Sequence, residues 1–195
     1  MPQIEMQHVT KYFTNEQRRF TAIDDVSLTI ERGEFVFLIG SSGAGKTTLL
    51  RLLANQIVAD EGKIWIDDVE LTRLRGWRRP VYRRNIGQVW QDASLIRKKT
   101  VRQNLELVQR ALGVKSKVIP ENTRKALSIV GMRAMEDRYP FELSGGQVKM
   151  VELARAIICN PPILIVDEIT ANLDYDTGWD IMNILNEINR CGTTV

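Results

Sequence analysis

The sequence predicts an α/β fold in which a mostly parallel sheet is preceded by antiparallel strands and interrupted by a helical segment. Short continuous apolar runs predict strands buried on both faces, which are typical of parallel sheets covered by helices. Stretches of helical periodicity separate these runs, and such alternation is the pattern of α/β proteins. The chain has 195 residues, of which 44% are hydrophobic and 26% charged, so it suits one globular domain.

Three segments have the pattern of strands. The first has hydrophobic residues at every second position, the period of a half-buried strand, at Val26, Leu28 and Ile30. The other two are continuous apolar runs, residues 35–39 before Gly40 and residues 163–166 before Asp167. Both runs are expected to form strands that are buried on both faces.

Helical patterns occupy residues 46–56, 121–130, 144–159 and 174–189. The second follows Pro120, which favours a helix start, and the third begins at Ser144, a favourable N-cap. The fourth carries an apolar stripe of Trp179, Met182, Leu185 and Ile188. Residues 92–142, approximately, are predicted to be a helical subdomain inserted into a single domain that spans residues 1–195.

Composition excludes several classes of protein. Two cysteines, Cys159 and Cys191, argue against a disulfide-rich secreted scaffold. The single histidine, His8, excludes a histidine-rich zinc site and argues against a Ser-His-Asp hydrolase. No apolar run approaches the length of a membrane span, and the first residues lack the pattern of a signal peptide. The net charge of +3 is too small to indicate nucleic-acid binding by itself.

A glycine-rich segment at residues 40–47 matches the phosphate-loop pattern G-x-x-x-x-G-K-[ST], between a predicted strand and a predicted helix. Its glycines let backbone N–H groups surround phosphate oxygens, and the helix N-terminus adds a positive dipole end. Lys46 is expected to contact the β- and γ-phosphates, and Thr47 to offer its hydroxyl to Mg²⁺. The predicted ATP-binding residues of this segment are Gly40, Ser41, Ser42, Gly43, Ala44, Gly45, Lys46, Thr47 and Thr48.

Two carboxylates, Asp167 and Glu168, directly follow the last apolar run. In open α/β sheets ligands bind at the carboxyl ends of the strands. Asp167 is therefore predicted to support Mg²⁺, and Glu168 to be the base that orients or polarises the attacking water. Alone, the pair would be interpreted as a strand followed by a solvated loop, but a phosphate loop upstream favours the catalytic interpretation.

A second glycine motif, Leu143-Ser144-Gly145-Gly146-Gln147, opens the third predicted helix. A serine hydroxyl, two glycine N–H groups and a helix N-terminus form another anion cradle, although an ordinary capped helix would start in the same way. Between the phosphate loop and the Asp167-Glu168 pair, this motif completes an ordered set that resembles the ATP-binding-cassette (ABC) ATPases. The resemblance covers about residues 4–195.

The resemblance implies further site residues. Gln91 resembles the Q-loop glutamine that links Mg²⁺ and water to the helical subdomain. Phe13, with Tyr12 as the alternative, lies where the family stacks an aromatic ring on adenine. Leu173 and Asp174 match the D-loop. The implied sets are catalytic Glu168, Gln91 and Lys46, metal-binding Thr47, Gln91 and Asp167, and a signature of Ser144, Gly145, Gly146 and Gln147.

The family also implies a mechanism that depends on ATP and Mg²⁺. Two copies of the domain would pack head to tail, with each ATP between the phosphate loop of one copy and the Ser144-Gly145-Gly146-Gln147 signature of the other. ATP would close this homodimer and hydrolysis would let it reopen. The helical insert would transmit the motion to an integral membrane partner.

Within the family, three segments resemble the bacterial cell-division branch: residues 83–87, 172–174 and 187–195. This resemblance implies a peripheral protein at the cytoplasmic face of the membrane, with a membrane partner of the FtsX type. An ATPase subunit of a lipoprotein-release or macrolide-export transporter is the first alternative. An ATP-binding scaffold with little turnover is the second.

The sequence also departs from the family pattern. Ile169 stands where proline is usual, Met150 where arginine is usual, and Val148-Lys149 replaces a glutamine pair. The chain reaches Val195 where the family begins another buried strand, which leads to a histidine that contacts the γ-phosphate. We therefore expect a truncated part of a longer protein, one that folds poorly and hydrolyses ATP weakly, because losing that strand exposes backbone groups in mid-sheet.

Ten basic residues crowd the middle of the chain. A solvated charged face is the ordinary interpretation, and contact with anionic lipid headgroups, worth about 1 kcal/mol per basic residue, is an alternative. Specific nucleic-acid binding is not expected, because interleaved aromatic residues are few and no recognition motif is present. The basic residues are Arg73, Arg75, Arg78, Arg79, Arg83, Arg84, Arg97, Lys98, Lys99 and Arg102.

Overall fold

The structure is a computed structural model, and it describes residues 3–14, 18–92 and 94–195. The chain divides into two compact units. The N-terminal unit runs to Asn85 and includes Thr194 and Val195, and the C-terminal unit is Ile86–Thr193. None of the helices among the described residues has the length and apolar character that a membrane span requires.

The N-terminal unit is built on a four-stranded antiparallel sheet. Its strands are β1 (Ile4–Thr14), β2 (Arg19–Ile30), β3 (Glu61–Ile66) and β4 (Val69–Glu70), in the order β2-β1-β3-β4. The inner residues of the sheet, Ile4, Met6, Val9, Ile64 and Ile66, are almost fully buried. The antiparallel strands and the half-buried alternation of Val26, Leu28 and Ile30 confirm the sequence predictions.

The helices of this unit are short. Helix α1 (Lys46–Leu53) is three residues shorter than predicted and buries Leu49, Leu52 and Leu53. A 3-10 turn at Leu71–Arg73 and the five-residue helix α2 (Arg79–Arg83) lie in the basic part of the chain and were not predicted. Pro80 occupies the first turn of α2, a position where its missing N–H is not needed.

The prediction of a buried strand at residues 35–39 is wrong. These residues form no strand, and the side chains of Phe37 and Ile39 are 64% and 90% exposed. One step of backbone pairing reaches this run: Val36 N–H donates to Val195 O (2.8 Å), and Val195 N–H donates to Glu34 O (3.0 Å). A strand requires a continuing ladder of such hydrogen bonds, and a single step does not make residues 35–39 a strand.

The C-terminal unit contains the parallel part of the fold. Strand β5 (Ile86–Val89) pairs in parallel with β6 (Ile163–Val166), with Ile86 opposite Ile163. Helices α3 (Val101–Ala111), α4 (Ile119–Ile129) and α5 (Gly145–Ile157) pack on one another, and α5 also packs on β5. The strand at residues 163–166 is confirmed. The predicted subdomain at residues 92–142 lies inside this unit and stays a prediction.

Local signals placed the ends of the later helices well. Pro120 lies in the first turn of α4, and Ser144 is the N-cap of α5. Helix α6 (Tyr175–Arg190) begins directly after its N-cap, Asp174. The predicted apolar stripe of α6 is only partly correct, because Leu185 is buried together with Ile181 while Trp179 is 59% exposed.

Candidate functional site

The glycine-rich segment forms a loop that closes around the ammonium group of Lys46. Lys46 Nζ lies 2.8 Å from both Gly40 O and Ser41 O. The N–H of Ala44 donates to Ser41 O at 3.2 Å. Thr47 and Thr48 follow in the first turn of α1 and are half-buried. The loop therefore wraps its main chain around the Lys46 ammonium group at the start of α1, with Thr47 and Thr48 next in sequence.

Gly45 fixes this loop against β2. Its φ is +90°, in the left-handed region, and a Cβ placed there would lie 2.4 Å from Ala22 O. An L-residue would meet both a backbone penalty and a collision with backbone atoms. The glycine before Lys46 is thus required by the close approach of strand and loop.

The predicted adenine-stacking aromatics lie at the end of β1. The ring of Phe13 stacks on Phe20 with centroids 5.8 Å apart. Tyr12 is more constrained: its hydroxyl donates to Glu61 (3.1 Å), its N–H donates to Asp60 (2.7 Å), and the Arg19 guanidinium lies 3.5 Å from its ring centroid. The hydrogen bond to Glu61 raises the pKa of the Tyr12 phenol above its ordinary value.

Gln91, Asp167 and Glu168 follow the carboxyl ends of two adjacent parallel strands. The N–H of Asp167 donates to Val89 O at 2.9 Å, and Asp167 is only 4% exposed. Glu168 is exposed, and its φ of +49° places it in the left-handed region. The turn after it is closed by a 3.0 Å bond from Ala171 N–H to Glu168 O. The structure thus brings these residues to one edge of the β5–β6 pair.

The signature residues lie together with the D-loop. Ser144 Oγ accepts from Gln147 N–H (3.3 Å), and Gln147 Oε1 accepts from Ser144 N–H (3.0 Å), which forms a capping box. Asp174 accepts from Thr177 N–H at 2.9 Å, and this bond lowers the pKa of its carboxyl group. An open cleft of about 590 Å³ is lined by both segments, including Ser144, Gly145, Gly146, Gln147, Leu173 and Asp174.

The predicted residues therefore form three groups within the described parts of the chain. The phosphate loop lies in the N-terminal unit, where Tyr12 and Phe13 also belong. The C-terminal unit holds Gln91 with the acidic pair, and separately the signature with the D-loop.

A buried polar cluster next to Gln91 was missed by the sequence analysis. Lys149 was noted only as a departure from a glutamine, and Glu152 was not noted at all. On α5, Glu152 is buried and Lys149 is half-buried. The available signal was the three-residue spacing of Lys149, Glu152 and Arg155, which places three charged side chains on one side of the helix.

Comparison with known proteins identifies the family of the chain. The sequence matches the ABC transporter family over residues 23–171. The chain belongs to the ABC transporter family. It is therefore an ATP-binding ATPase, which confirms the family, the fold class and the enzyme class predicted from the sequence.

Several relatives carry the name of cell division ATP-binding protein FtsE. The chain is 41% identical to the one from Mycobacterium tuberculosis over 192 residues, covering 98% of this chain and 83% of the relative. It is 38% identical to the one from Bacillus subtilis with the same coverage. A methionine import ATP-binding protein, MetN of Photobacterium profundum, is 39% identical over 96% of this chain and 54% of its own length.

A solved structure shares the fold closely. It is the dimeric, post-hydrolysis state of the ATP-binding cassette MJ0796 bound to ADP and Pi. The two structures superpose with a TM-score of 0.91 and 32% identity, covering 98% of this chain and 85% of the other. Such agreement fixes the cassette fold for this chain.

Proposed function

We propose that this chain binds Mg-ATP and hydrolyses it as a head-to-tail homodimer that drives or signals to an integral membrane partner. The observation that carries the proposal is the presence of two incomplete nucleotide half-sites in one chain. One is the phosphate loop around Lys46, and the other is the open cleft between the signature and the D-loop. A second copy supplies each half-site with its complement.

Binding begins with an exchange of partners at Lys46. Its ammonium group leaves the carbonyls of Gly40 and Ser41 and meets the β- and γ-phosphate oxygens. Phe13 stacks on the adenine, while Tyr12 remains tied to Glu61 and Arg19. The N–H groups at the start of α1 add the partial positive charge of a helix N-terminus.

Three side chains of this chain offer the oxygen ligands that Mg²⁺ prefers. They are the hydroxyl of Thr47, the buried carboxylate of Asp167 and the amide of Gln91. Mg²⁺ usually takes one or two protein ligands beside phosphate oxygens, so a larger carboxylate cage is not needed. When bound, Mg²⁺ neutralises charge on the β- and γ-phosphates.

Glu168 is the proposed base. Its exposed carboxylate, at the end of β6, holds and polarises the attacking water, and Gln91 orients it from the neighbouring strand end. The N–H groups of Gly145 and Gly146 and the hydroxyl of Ser144 in the opposite copy stabilise charge on the γ-phosphate. Catalysis therefore requires both copies.

The FtsE relatives support a role in bacterial cell division. A partner of the FtsX type and a position at the cytoplasmic face of the membrane rest on the sequence resemblance and stay predictions. The alternative is the ATPase subunit of a lipoprotein-release or macrolide-export transporter, and the MetN relative supports a transport role only in general. Contact of the basic residues with anionic lipid stays a prediction that binding to anionic vesicles at low and high salt would test.

Replacing Glu168 with glutamine tests the proposal. We expect ATP turnover to fall by about 100-fold or more, because general-base catalysis is lost, while ATP binding persists and a dimer accumulates. Turnover and size-exclusion chromatography with ATP measure these effects. Glu187→Gln, an exposed glutamate paired with Arg190, is the matched control and should leave both unchanged. Unchanged turnover in Glu168→Gln would instead support a scaffold with little catalysis.

A further inference from the structure

We propose that Lys149 and Glu152 are positioning residues for ATP hydrolysis, because they hold the loop that carries Gln91 against helix α5. This inference rests on the proposed function, in which Gln91 orients the metal and the attacking water. Both residues lie on the helix that begins at the signature, and neither belongs to the nucleotide-binding or catalytic groups of that proposed function.

The ammonium group of Lys149 binds the main chain of the loop that carries Gln91. Lys149 Nζ donates to Trp90 O (2.8 Å) and Gln91 O (2.7 Å), and it pairs with Glu152 Oε2 at 3.1 Å. An ammonium group has three hydrogens, so each one has an acceptor. The Lys149 side chain is only 12% exposed, which keeps water from competing for these bonds.

Glu152 extends the same contact to the other side of the loop. The second oxygen of its carboxylate, Oε1, accepts from both the N–H and the hydroxyl of Ser94. Arg155, one helical turn further along α5, donates to Ser94 O at 2.9 Å and to Ser94 Oγ. Burial lowers the pKa of the Arg155 guanidinium, and the charge of Glu152 partly offsets that effect.

The energetics favour a positioning role over a stabilising one. The Glu152 side chain is 1% exposed. Removing a charged pair from water usually costs about as much free energy as the attraction between the two charges contributes. The gain is geometric instead: three side chains of one rigid helix fix backbone atoms on both sides of Gln91. A small displacement of a group that orients a reacting molecule slows the chemistry far more than it weakens binding.

Lys149→Met tests the contact and its consequence together. We expect amide hydrogen exchange at Ser94 to rise about tenfold or more, because the Glu152 carboxylate that accepts from Ser94 N–H loses the ammonium group that holds it in place. We expect kcat to fall by about 10- to 100-fold, with the KM for ATP close to that of the wild type. Arg190→Met is the matched control, because it breaks an exposed i,i+3 pair on α6.

The double variant Lys149→Met/Glu152→Met covers the case in which the single variant fails to fold. It removes both charges of the buried Lys149–Glu152 pair, so neither is left without the other, and it should unfold closer to the wild-type temperature than the single variant yet show the same loss of kcat. A merely structural role would leave the kcat of this stable variant unchanged.

The outcomes separate the two proposals. A wild-type chain without ATP turnover would overturn the proposed function and, with it, the positioning role. A wild-type chain that hydrolyses ATP, with wild-type exchange in the loop or wild-type kcat in the folded variants, would overturn the positioning role alone.

Discussion

Gly146 shows at the scale of a residue how closely helix α5 approaches helix α6. A Cβ at this position would lie 2.7 Å from Thr177 Cγ2, although alanine is otherwise about 1 kcal/mol better than glycine inside a helix. Gly146→Ala is therefore expected to destabilise the chain, and Thr177→Ser, which removes that methyl group, to reverse the loss. Urea unfolding of the four proteins measures the coupling, which should reach about 1 kcal/mol.

Gly145→Ala is the control for this experiment. It also adds a methyl group at the start of α5, but no atom lies within 4 Å of its Cβ position. It should not lower stability, and equal effects at the two glycines would contradict the close approach.

Asp60 ties strand β1 to the start of strand β3, and the strength of this contact depends on pH. Its carboxylate accepts from Tyr12 N–H (2.7 Å) and pairs with Lys11 (3.0 Å), and both contacts lower the pKa of Asp60 below its ordinary value. A carboxyl pKa that is lower in the folded chain stabilises it above the unfolded pKa of about 4. That stabilisation is lost as the pH falls through the folded pKa.

Asp60→Asn should therefore have a lower melting temperature than the wild type at neutral pH, and the difference should shrink under acid. Thermal unfolding between neutral and strongly acidic pH measures this. Asp68→Asn, which makes the same change in the exposed turn between β3 and β4, is the control. A constant difference at every pH would show that the Asp60 contacts do not carry the effect.

At the scale of an element, Asn104 anchors the start of α3. Its Oδ1 accepts from Ile96 N–H (2.8 Å), and its Nδ2 lies within 3.2 Å of the carbonyls of Ile96, Lys99 and Thr100. Asn104 is 1% exposed, so removing the amide leaves buried backbone groups without a partner. Asn104→Ala should lower the free energy of unfolding by about 2–3 kcal/mol in urea.

The comparison for Asn104 is Asn183→Ala, an exposed position inside α6. Alanine is the better helix former there, so this variant should be as stable as the wild type or slightly more stable. Similar losses in both variants would mean that the buried network does not set the effect.

For the whole molecule, we expect the exposed apolar run at residues 35–39 to promote self-association. Large exposed apolar side chains favour contact with other chains, and of the run's backbone N–H groups only that of Val36 has a hydrogen-bond partner among the residues that the structure describes. Ile39→Ser, at a position that is 90% exposed, should reduce self-association of a protein made of residues 1–195 and its binding of the dye ANS. Sedimentation and dye fluorescence measure these changes. Phe141→Ser, at a residue 74% exposed inside the 3-10 turn Pro140–Glu142, should change them less.

The sequence was most informative where a signal is local. The phosphate loop is contiguous, and the cap Ser144 is recognisable from its residue type and from the helical pattern of the next residues. The run at residues 35–39 led to a wrong prediction because apolar composition predicts burial but does not show which other segment supplies the backbone hydrogen bonds. The contact between Glu152 and Ser94 could not be predicted, because the two residues lie 58 positions apart in the chain.

Glu168 also has a consequence for how this protein evolves. A glutamate at φ +49° carries a backbone penalty of about 1 kcal/mol that glycine or asparagine would largely avoid. Selection for thermal stability alone would thus favour replacing the one carboxylate that the proposed chemistry requires. Laboratory lineages freed from the need for ATP turnover should therefore drift toward glycine or asparagine at position 168.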